Sequence, residues 1–298
     1  MDAHFKSLLD QVQFNGPNTQ KWVAASKDFI PDFMKQHDVL MHFLERTTVI
    51  LHGSTALNVD DPHSDLDYWL ILDDEEEKRF QTLTNESFVP LRIHGKVGHI
   101  NPLSLKELEA CFSDRINMVL AYEVKNGIVI EDTKEVFESY RSLAQEPLTD
   151  DIQYAHFFRN YIEMRASHRS CDNPMERHDP FAMLYNVMDT LKFALQAAFV
   201  LDRMPYPYDK WIYAHAHLAE TPRALLPGIN NILAQVTSGF SALRGPEGDN
   251  KISQELRVIR GILIDKAQQN GIDALWLNKW WRYIDESKRA VQSVRWGQ

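Results

Sequence analysis

The sequence predicts an α+β protein, in which a small mixed-sheet domain is followed by a C-terminal helical bundle. Short β-branched and apolar runs, typical of strands, end with the run at 127–132. From about residue 148 the apolar residues recur at helical spacing, and the stretch 180–203 is long enough for the central helix of a bundle. We therefore divide the 298-residue chain into an α/β domain, 1–146, and a helical domain, 147–298.

The elements of the first domain follow from local patterns. Helical spacing over 18–46 predicts two helices separated at Pro31, because proline interrupts the hydrogen bonding of a helix interior. Strands are predicted at 47–53, 66–72, 91–103 (with a glycine-containing turn) and 127–132. The acidic run 73–77 is predicted to be a solvated loop, and Ser104 and Thr149 are predicted to cap the helices that follow them.

Composition narrows the classes of partner. The formal net charge of −10 disfavours a broad surface for nucleic acid or for an anionic membrane, and it is compatible with a small cationic substrate. The two cysteines, Cys111 and Cys171, have no metal-site spacing and are expected to be reduced thiols. The N-terminal segment lacks the pattern of a signal peptide, and no apolar run reaches the length of a membrane span. We expect a cytoplasmic protein.

Two aspartates, Asp65 and Asp67, stand one residue apart at the start of the predicted strand 66–72. Side chains at i and i+2 of a strand point to the same side, so the two carboxylates need a compensating charge, and Mg²⁺ is a suitable cation. Gly53 and Ser54 end the preceding strand, where backbone N–H groups and a hydroxyl can bind an anion. Together these features predict a site for a nucleoside triphosphate and a metal ion. For an isolated pair, the alternative is a turn-capping Asp65 and a solvent-facing Asp67.

The stretch "HGSTALNVDDPHSDLDYWLI" resembles the defining motif of the nucleotidyltransferase superfamily (DNA polymerase beta-like), apolar-Gly-(Gly/Ser) followed after a gap by Asp-apolar-(Asp/Glu)-apolar. The domain order looks like that of aminoglycoside and lincosamide nucleotidyltransferases and their uncharacterised bacterial relatives. The resemblance implies that Asp65 and Asp67 hold Mg²⁺ and that ATP or another nucleoside triphosphate is the co-substrate. It also implies transfer of a nucleoside monophosphate to a hydroxyl of a small molecule, and an antibiotic is among the acceptors it suggests.

The same resemblance extends to a segment of the second domain. Residues 199–216 are similar to a segment in which a lysine before a tryptophan reaches the nucleotide phosphates, which implies that role for Lys210. The alternative for Lys210 is a surface lysine in a bundle loop.

The sequence departs from the family at a third carboxylate that active members carry on a later strand. The best overlay places His99 there, and the sequence has no Asp or Glu between Pro90 and Ser104. His99 is therefore a candidate neutral general base, since histidine titrates near physiological pH. Glu163 and Asp189, on the first two bundle helices, are the alternative bases.

Two other functions remain open from the sequence. The absent third carboxylate is compatible with a catalytically impaired nucleotide-binding or regulatory protein on the same fold. Nucleotidylation of a protein or of a tRNA end is the other alternative, although the acidic charge disfavours RNA.

Overall fold

The computed structural model of the protein describes residues 17–84, 86–113, 116–133, 135–177, 179–237 and 251–294. The described residues form two compact units, one ending at Glu146 and the other beginning at Pro147. The prediction that the N-terminal segment is not a signal peptide concerns residues that lie largely outside the described ones, which begin at residue 17.

The first unit contains a mixed five-stranded sheet. Its strands are β1 (Thr48–His52), β2 (Leu66–Leu72), β3 (Val89–Ile93), β4 (Lys96–Ser104) and β5 (Ile128–Asp132). The order across the sheet is β3-β4-β2-β1-β5. β2 and β4 are parallel, and the other neighbouring pairs are antiparallel.

The sheet is accompanied by α-helices in the first unit, and the described part of the second unit contains helices and no strand. In the first unit they are α1 (Pro17–Gln36), α2 (Gly53–Ala56), α3 (Asp74–Leu83), α4 (Leu105–Ser113), α5 (Met118–Asn126) and α6 (Phe137–Gln145). In the second unit they are α7 (Asp150–Arg169), α8 (Asp172–Arg177), α9 (Pro180–Leu201), α10 (Asp209–His215), α11 (Glu220–Thr237), α12 (Lys251–Gln269) and α13 (Ile284–Ser293). The predicted fold class, a mixed-sheet α+β unit followed by a helical region, is confirmed.

The prediction of a helix break at Pro31 is wrong. α1 runs without interruption from Pro17 to Gln36 with Pro31 inside it. Proline costs a helix one hydrogen bond and causes a steric clash with the preceding turn. Here the flanking residues Ile30 and Met34 are completely buried in the core of the first unit, and this packing outweighs the local penalty.

The acidic run 73–77 is not a loop, as the sequence suggested, but the start of α3. The Asp73 carboxylate accepts hydrogen bonds from the backbone N–H of Glu75 (3.0 Å) and Glu76 (2.9 Å), and the Glu76 side chain accepts one from Asp73 N (2.9 Å). This capping box uses the negative charges where the helix dipole favours them. Ser104 caps α4 as predicted, because its hydroxyl accepts from Glu107 N at 3.1 Å. Thr149 precedes α7 without a side-chain capping bond, contrary to the prediction.

The two faces of the sheet have different roles. Alternate residues of β2, beginning with Leu66 and Tyr68, belong to the main apolar core together with Trp22 and Met34 of α1. The opposite face of β2 begins with Asp67, and its polar end lies where β1 ends. Because strand side chains alternate, one strand supplies both the core and the polar site.

No helix among the described residues has the length and apolar character needed to cross a membrane.

Candidate functional site

The structure brings together Asp65, Asp67 and His99 on two neighbouring strands. Asp65 immediately precedes β2, and Asp67 lies in β2 directly beside His99 of the parallel strand β4. One ligand atom from each of the three residues lies within 4.8 Å of the others. The parallel register of β2 and β4 therefore produces a cluster of two carboxylates and one imidazole.

The cluster is accessible from solvent. The side chain of Asp65 is 46% exposed and that of His99 is 27% exposed, and His99 Nδ1 lies 3.3 Å from Asp65 Oδ2. The ring of Phe88 packs edge-on against His99 with a centroid separation of 4.8 Å. An aromatic neighbour on one side and a carboxylate on the other restrict the orientation of the imidazole.

This donor set fits a divalent metal ion. Two adjacent carboxylates suit Mg²⁺, which prefers oxygen ligands, and an imidazole nitrogen also suits ions such as Mn²⁺ and Zn²⁺. Asp65, Asp67 and His99 would be the protein ligands of such an ion.

Gly53, which directly follows β1, lies against the side chain of Asp67. It has a φ of +66°, and a Cβ built on it would lie 2.7 Å from Asp67 Oδ2. Glycine is therefore required at this position for two reasons, the left-handed backbone conformation and the close approach to the Asp67 carboxylate. Gly53 also begins the single-turn helix α2, in which Ser54 is 5% exposed.

We expect Gly53→Ala to weaken metal binding about 10- to 100-fold, because the added methyl group displaces the Asp67 carboxylate. The left-handed conformation adds a loss of about 1–2 kcal/mol in the free energy of unfolding. Titration with Mn²⁺ and thermal unfolding measure the two effects. Gly95→Ala is the matched control, because Gly95 has a φ of +87° but an added Cβ meets nothing within 4 Å. Equal metal affinity in the two variants would exclude the steric effect at Asp67.

The segment between Gly53 and Asp65 is held in place by polar contacts. Lys96 Nζ at the start of β4 forms an ion pair with Asp60 Oδ2 at 2.9 Å, and the side chains are 10% and 2% exposed. The Asp61 carboxylate accepts hydrogen bonds from His63 N (2.8 Å), Ser64 Oγ (3.0 Å) and Ser64 N (2.8 Å), and these bonds hold the pKa of Asp61 below its usual value. The turn thus leads into Asp65 with a fixed conformation.

His52 and Glu123 lie beside the cluster, although the sequence did not point to them. His52 is the cross-strand neighbour of Asp67, and its ring stacks on Trp69 with centroids 4.0 Å apart. His52 Nδ1 lies 3.5 Å from Glu123 Oε2 of α5, which is ion-pair distance without a hydrogen bond. Within the described chain, both ring nitrogens of His52 are buried with no hydrogen-bond partner.

The electrostatics of the site act chiefly on Asp67. Burial raises the pKa of the Asp67 carboxyl above its usual value. The His52 imidazole lowers this pKa and the Asp65 carboxylate raises it. Smaller influences come from His99, which lowers the pKa, and from Glu123, which raises it. An ionised Asp67 is therefore costly in the metal-free protein, and a bound cation would relieve the cost.

We expect Asp67→Asn to raise the melting temperature of the metal-free protein at pH 7. A carboxyl group whose pKa is raised in the folded protein stabilises the fold at pH values below its pKa in the unfolded chain, which is about 4. This contribution is lost as the pH rises through the pKa of the group in the folded protein. Asparagine removes the charge that is disfavoured at neutral pH. Thermal unfolding in EDTA at pH 7 and at pH 3 measures the effect, which should be present only at pH 7. Asp28→Asn, on the exposed surface of α1, is the control and should leave the melting temperature unchanged. If Asp67→Asn melts at a lower temperature than the wild type at pH 7, burial does not make the ionised carboxylate costly.

The other predicted site residues lie in the second unit. Glu163 forms an ion pair with Arg159 one turn earlier on α7. Asp189 accepts a hydrogen bond from Lys192 Nζ at 2.9 Å on α9. Lys210 is exposed on α10, with Nζ 4.6 Å from the ring centroid of Trp211. Their roles as bases and as a phosphate ligand remain predictions.

The comparisons with known proteins give little functional detail. A family model described as "Domain of unknown function (DUF4037)" matches residues 117–212, a segment that includes Glu123 and Lys210. No curated protein matches the chain. The crystal structure of a nucleotidyltransferase-like protein from Exiguobacterium sibiricum 255-15 is similar with a TM-score of 0.44 and 10% sequence identity, over 90% of this chain and 80% of that chain. Similarity at this level assigns no function, so the assignment depends on the side chains of the site.

Proposed function

We propose that the protein transfers a nucleoside monophosphate, AMP from ATP, to a hydroxyl group of a small molecule. The proposed reaction requires a divalent metal ion, Mg²⁺. The observation that carries the proposal is the cluster of Asp65, Asp67 and His99 within 4.8 Å, immediately beside Gly53. The spatial cluster adds His99 to the two aspartates that the sequence motif singles out.

The residues of the chain have distinct tasks in this proposal. Asp65 and Asp67 hold the metal ion, which when bound supplies positive charge to a triphosphate. Gly53 leaves space next to Asp67, where a larger residue would occupy the position of the carboxylate. Ser54 and Lys210 remain the proposed contacts to the phosphates on the basis of the sequence resemblance.

His99 has two roles open to it, both at the position of the family's third carboxylate. Its Nδ1 is 3.3 Å from Asp65 Oδ2, so it lies close enough to the carboxylates to share a metal ion. A neutral imidazole next to the reacting hydroxyl would instead accept its proton. Glu123 is a further carboxylate near Asp67, and its Oε2 lies 3.5 Å from His52 Nδ1.

The decisive experiment is a screen for pyrophosphate release. The purified protein is incubated with ATP and with Mg²⁺ or Mn²⁺, and with hydroxylated acceptors that include aminoglycosides and lincosamides. We expect pyrophosphate release with at least one acceptor, and we expect mass spectrometry to detect AMP attached to that acceptor. Replacing ATP with GTP, CTP or UTP tests which nucleotide is the donor. Calorimetric binding of metal–ATP with no turnover for any acceptor would favour the nucleotide-binding regulatory alternative. If the protein neither binds metal–ATP nor releases pyrophosphate, both functions are contradicted.

Variants at His99 separate its two roles. If His99 is the general base, His99→Ala lowers turnover about 100-fold or more with unchanged Mn²⁺ affinity. If His99 is a metal ligand, the Mn²⁺ affinity falls with the rate, and His99→Asp restores binding by supplying a carboxylate. Full turnover by His99→Ala would remove His99 from the mechanism.

A further inference from the structure

Three arginines and a histidine in the second unit form a positively charged group, which we call the arginine cluster: Arg165, His168, Arg257 and Arg260. Arg165 and His168 lie one turn apart on α7, with Arg165 Nη1 3.1 Å from His168 Nδ1. Arg257 and Arg260 lie one turn apart on α12. The charge of Arg260 acts on both residues of α7, so the two helices present their cations to the same region.

Other arginines on α7 differ from Arg165 in their partners. Arg159 forms an ion pair with Glu163, and Arg169 forms one with Asp172 at 2.8 Å. Over the described part of the chain, Arg165 has no ion pair with a carboxylate. Among the described residues, the α7 arginine without an ion pair is thus the one whose pKa is lowered by burial and by the charge of Arg260.

The cluster also has unsatisfied hydrogen-bond donors. The Nε–H groups of Arg165 and Arg260 are both buried, and neither has a hydrogen-bond partner among the described residues. A buried donor without an acceptor costs free energy, and more so when the group is charged. Within the described residues, each of these two guanidinium groups therefore has one buried N–H group that lacks an acceptor.

Burial makes this arrangement costly without an anion. Desolvation lowers the pKa of Arg165, Tyr161 raises it, and Arg260 lowers it. The pKa of His168 is lowered to about 4 by its own burial and by the neighbouring arginines, so the imidazole is neutral at pH 7. The indole of Trp280, with its ring centroid 5.9 Å from Arg165 Cζ, compensates only a small part of the positive charge.

We propose that the arginine cluster binds a phosphate group, as inorganic phosphate or as the phosphoryl group of a small metabolite. Phosphate supplies the missing negative charge and several acceptor oxygens, and guanidinium groups bind it through paired N–H donors. Because a guanidinium only donates, His168 Nδ1 accepts from Arg165, and His168 Nε2 then carries a hydrogen that adds another donor. This site uses none of the residues assigned to nucleotidyl transfer.

The test is phosphate binding by the whole protein in EDTA, so that no metal-bound phosphate contributes. Calorimetry with inorganic phosphate, against sodium chloride at equal ionic strength, is expected to give one site per chain. Arg165→Met and Arg260→Met are each expected to weaken binding at least tenfold. Arg169→Met is the matched control, because Arg169 lies on the same helix as Arg165 and its exposed ion pair with Asp172 is outside the cluster. Phosphate affinity that is equal in all four proteins, or no binding to the wild type, would overturn the proposal.

Thermal unfolding distinguishes a binding site from a structural role. In phosphate-free buffer Arg260→Met is expected to melt at the same temperature as the wild type or higher, because one of two like charges has been removed. Phosphate should then raise the melting temperature of the wild type and not that of the variant. A variant that melts lower without phosphate and responds to phosphate like the wild type would identify a purely structural arginine.

Two further arms identify the source of the phosphate and separate this site from the proposed function. AMP that competes with inorganic phosphate indicates a nucleotide phosphoryl group, and phosphate binding without competition indicates the free ion. Asp67→Asn is expected to retain phosphate binding in EDTA even if nucleotidyl transfer is never detected, so the two proposals fail independently.

Discussion

Replacement of Asp67 by asparagine is expected to lower the rate of nucleotidyl transfer about a thousandfold, which corresponds to about 4 kcal/mol of transition-state stabilisation. The side chain keeps its size but loses the charge that holds a divalent cation beside Asp65 and His99. Asp65→Asn is expected to have a similar effect, since the two carboxylates act on the same ion. Pyrophosphate release with an acceptor that supports turnover gives the rate, and Mn²⁺ titration by electron paramagnetic resonance gives the affinity.

The control for this result is Asp28→Asn, which removes the same charge from the exposed surface of α1. It should retain both the rate and the Mn²⁺ affinity of the wild type. If Asp67→Asn binds Mn²⁺ as tightly as the wild type does, the metal site is assigned to the wrong residues. A loss of affinity without a loss of rate would show that the metal is not needed for the reaction.

Replacement of Lys96 by methionine is expected to lower the free energy of unfolding by about 3 kcal/mol, because it leaves the carboxylate of Asp60 buried without its cation. Asn18 Nδ2 still donates to Asp60 Oδ2 at 2.6 Å, so the loss should lie at the lower end of the range for broken buried pairs. The melting temperature is expected to fall by roughly 6–12 °C. Urea and thermal unfolding measure both quantities.

The double variant Lys96→Met/Asp60→Asn removes both charges and is expected to recover most of the lost stability. Lys35→Met is the surface control, since its ion pair with Asp32 is 60% and 72% exposed and should contribute less than about 1 kcal/mol. Equal losses from Lys96→Met and Lys35→Met would show that the Asp60 carboxylate is effectively hydrated.

The elements that could be predicted are those in which local pattern and tertiary packing agree. The strand 66–72 is observed with the predicted bounds, and all of its apolar residues are buried, as the apolar run predicts. Pro31 was misleading, since a local rule about helix interiors does not include the burial of Ile30 and Met34. The acidic run beginning at Asp73 was also misleading, because its charge suggested solvent exposure while its spacing satisfied a capping box.

For the candidate site, the residues contained in one segment were accessible from their spacing, whereas His99 was singled out only by the resemblance to a known family. Gly53, Asp65 and Asp67 lie in one stretch and could be singled out by spacing. The contact of His99 with Asp65 depends on the parallel pairing of β2 with β4. Glu123 lies on α5 within an ordinary helical pattern, and its position beside His52 could not be deduced without the fold.

The parallel pairing of β2 and β4 has a consequence for how such a site can change over generations. Asp65 and Asp67 lie at the start of one strand, whereas the third donor, His99, lies on the neighbouring strand. Histidine and aspartate codons differ by one base, so a single mutation exchanges an imidazole for a carboxylate without disturbing the glycine or the aspartate pair. In this architecture the third donor can therefore change by mutation while the motif that identifies the other two stays the same.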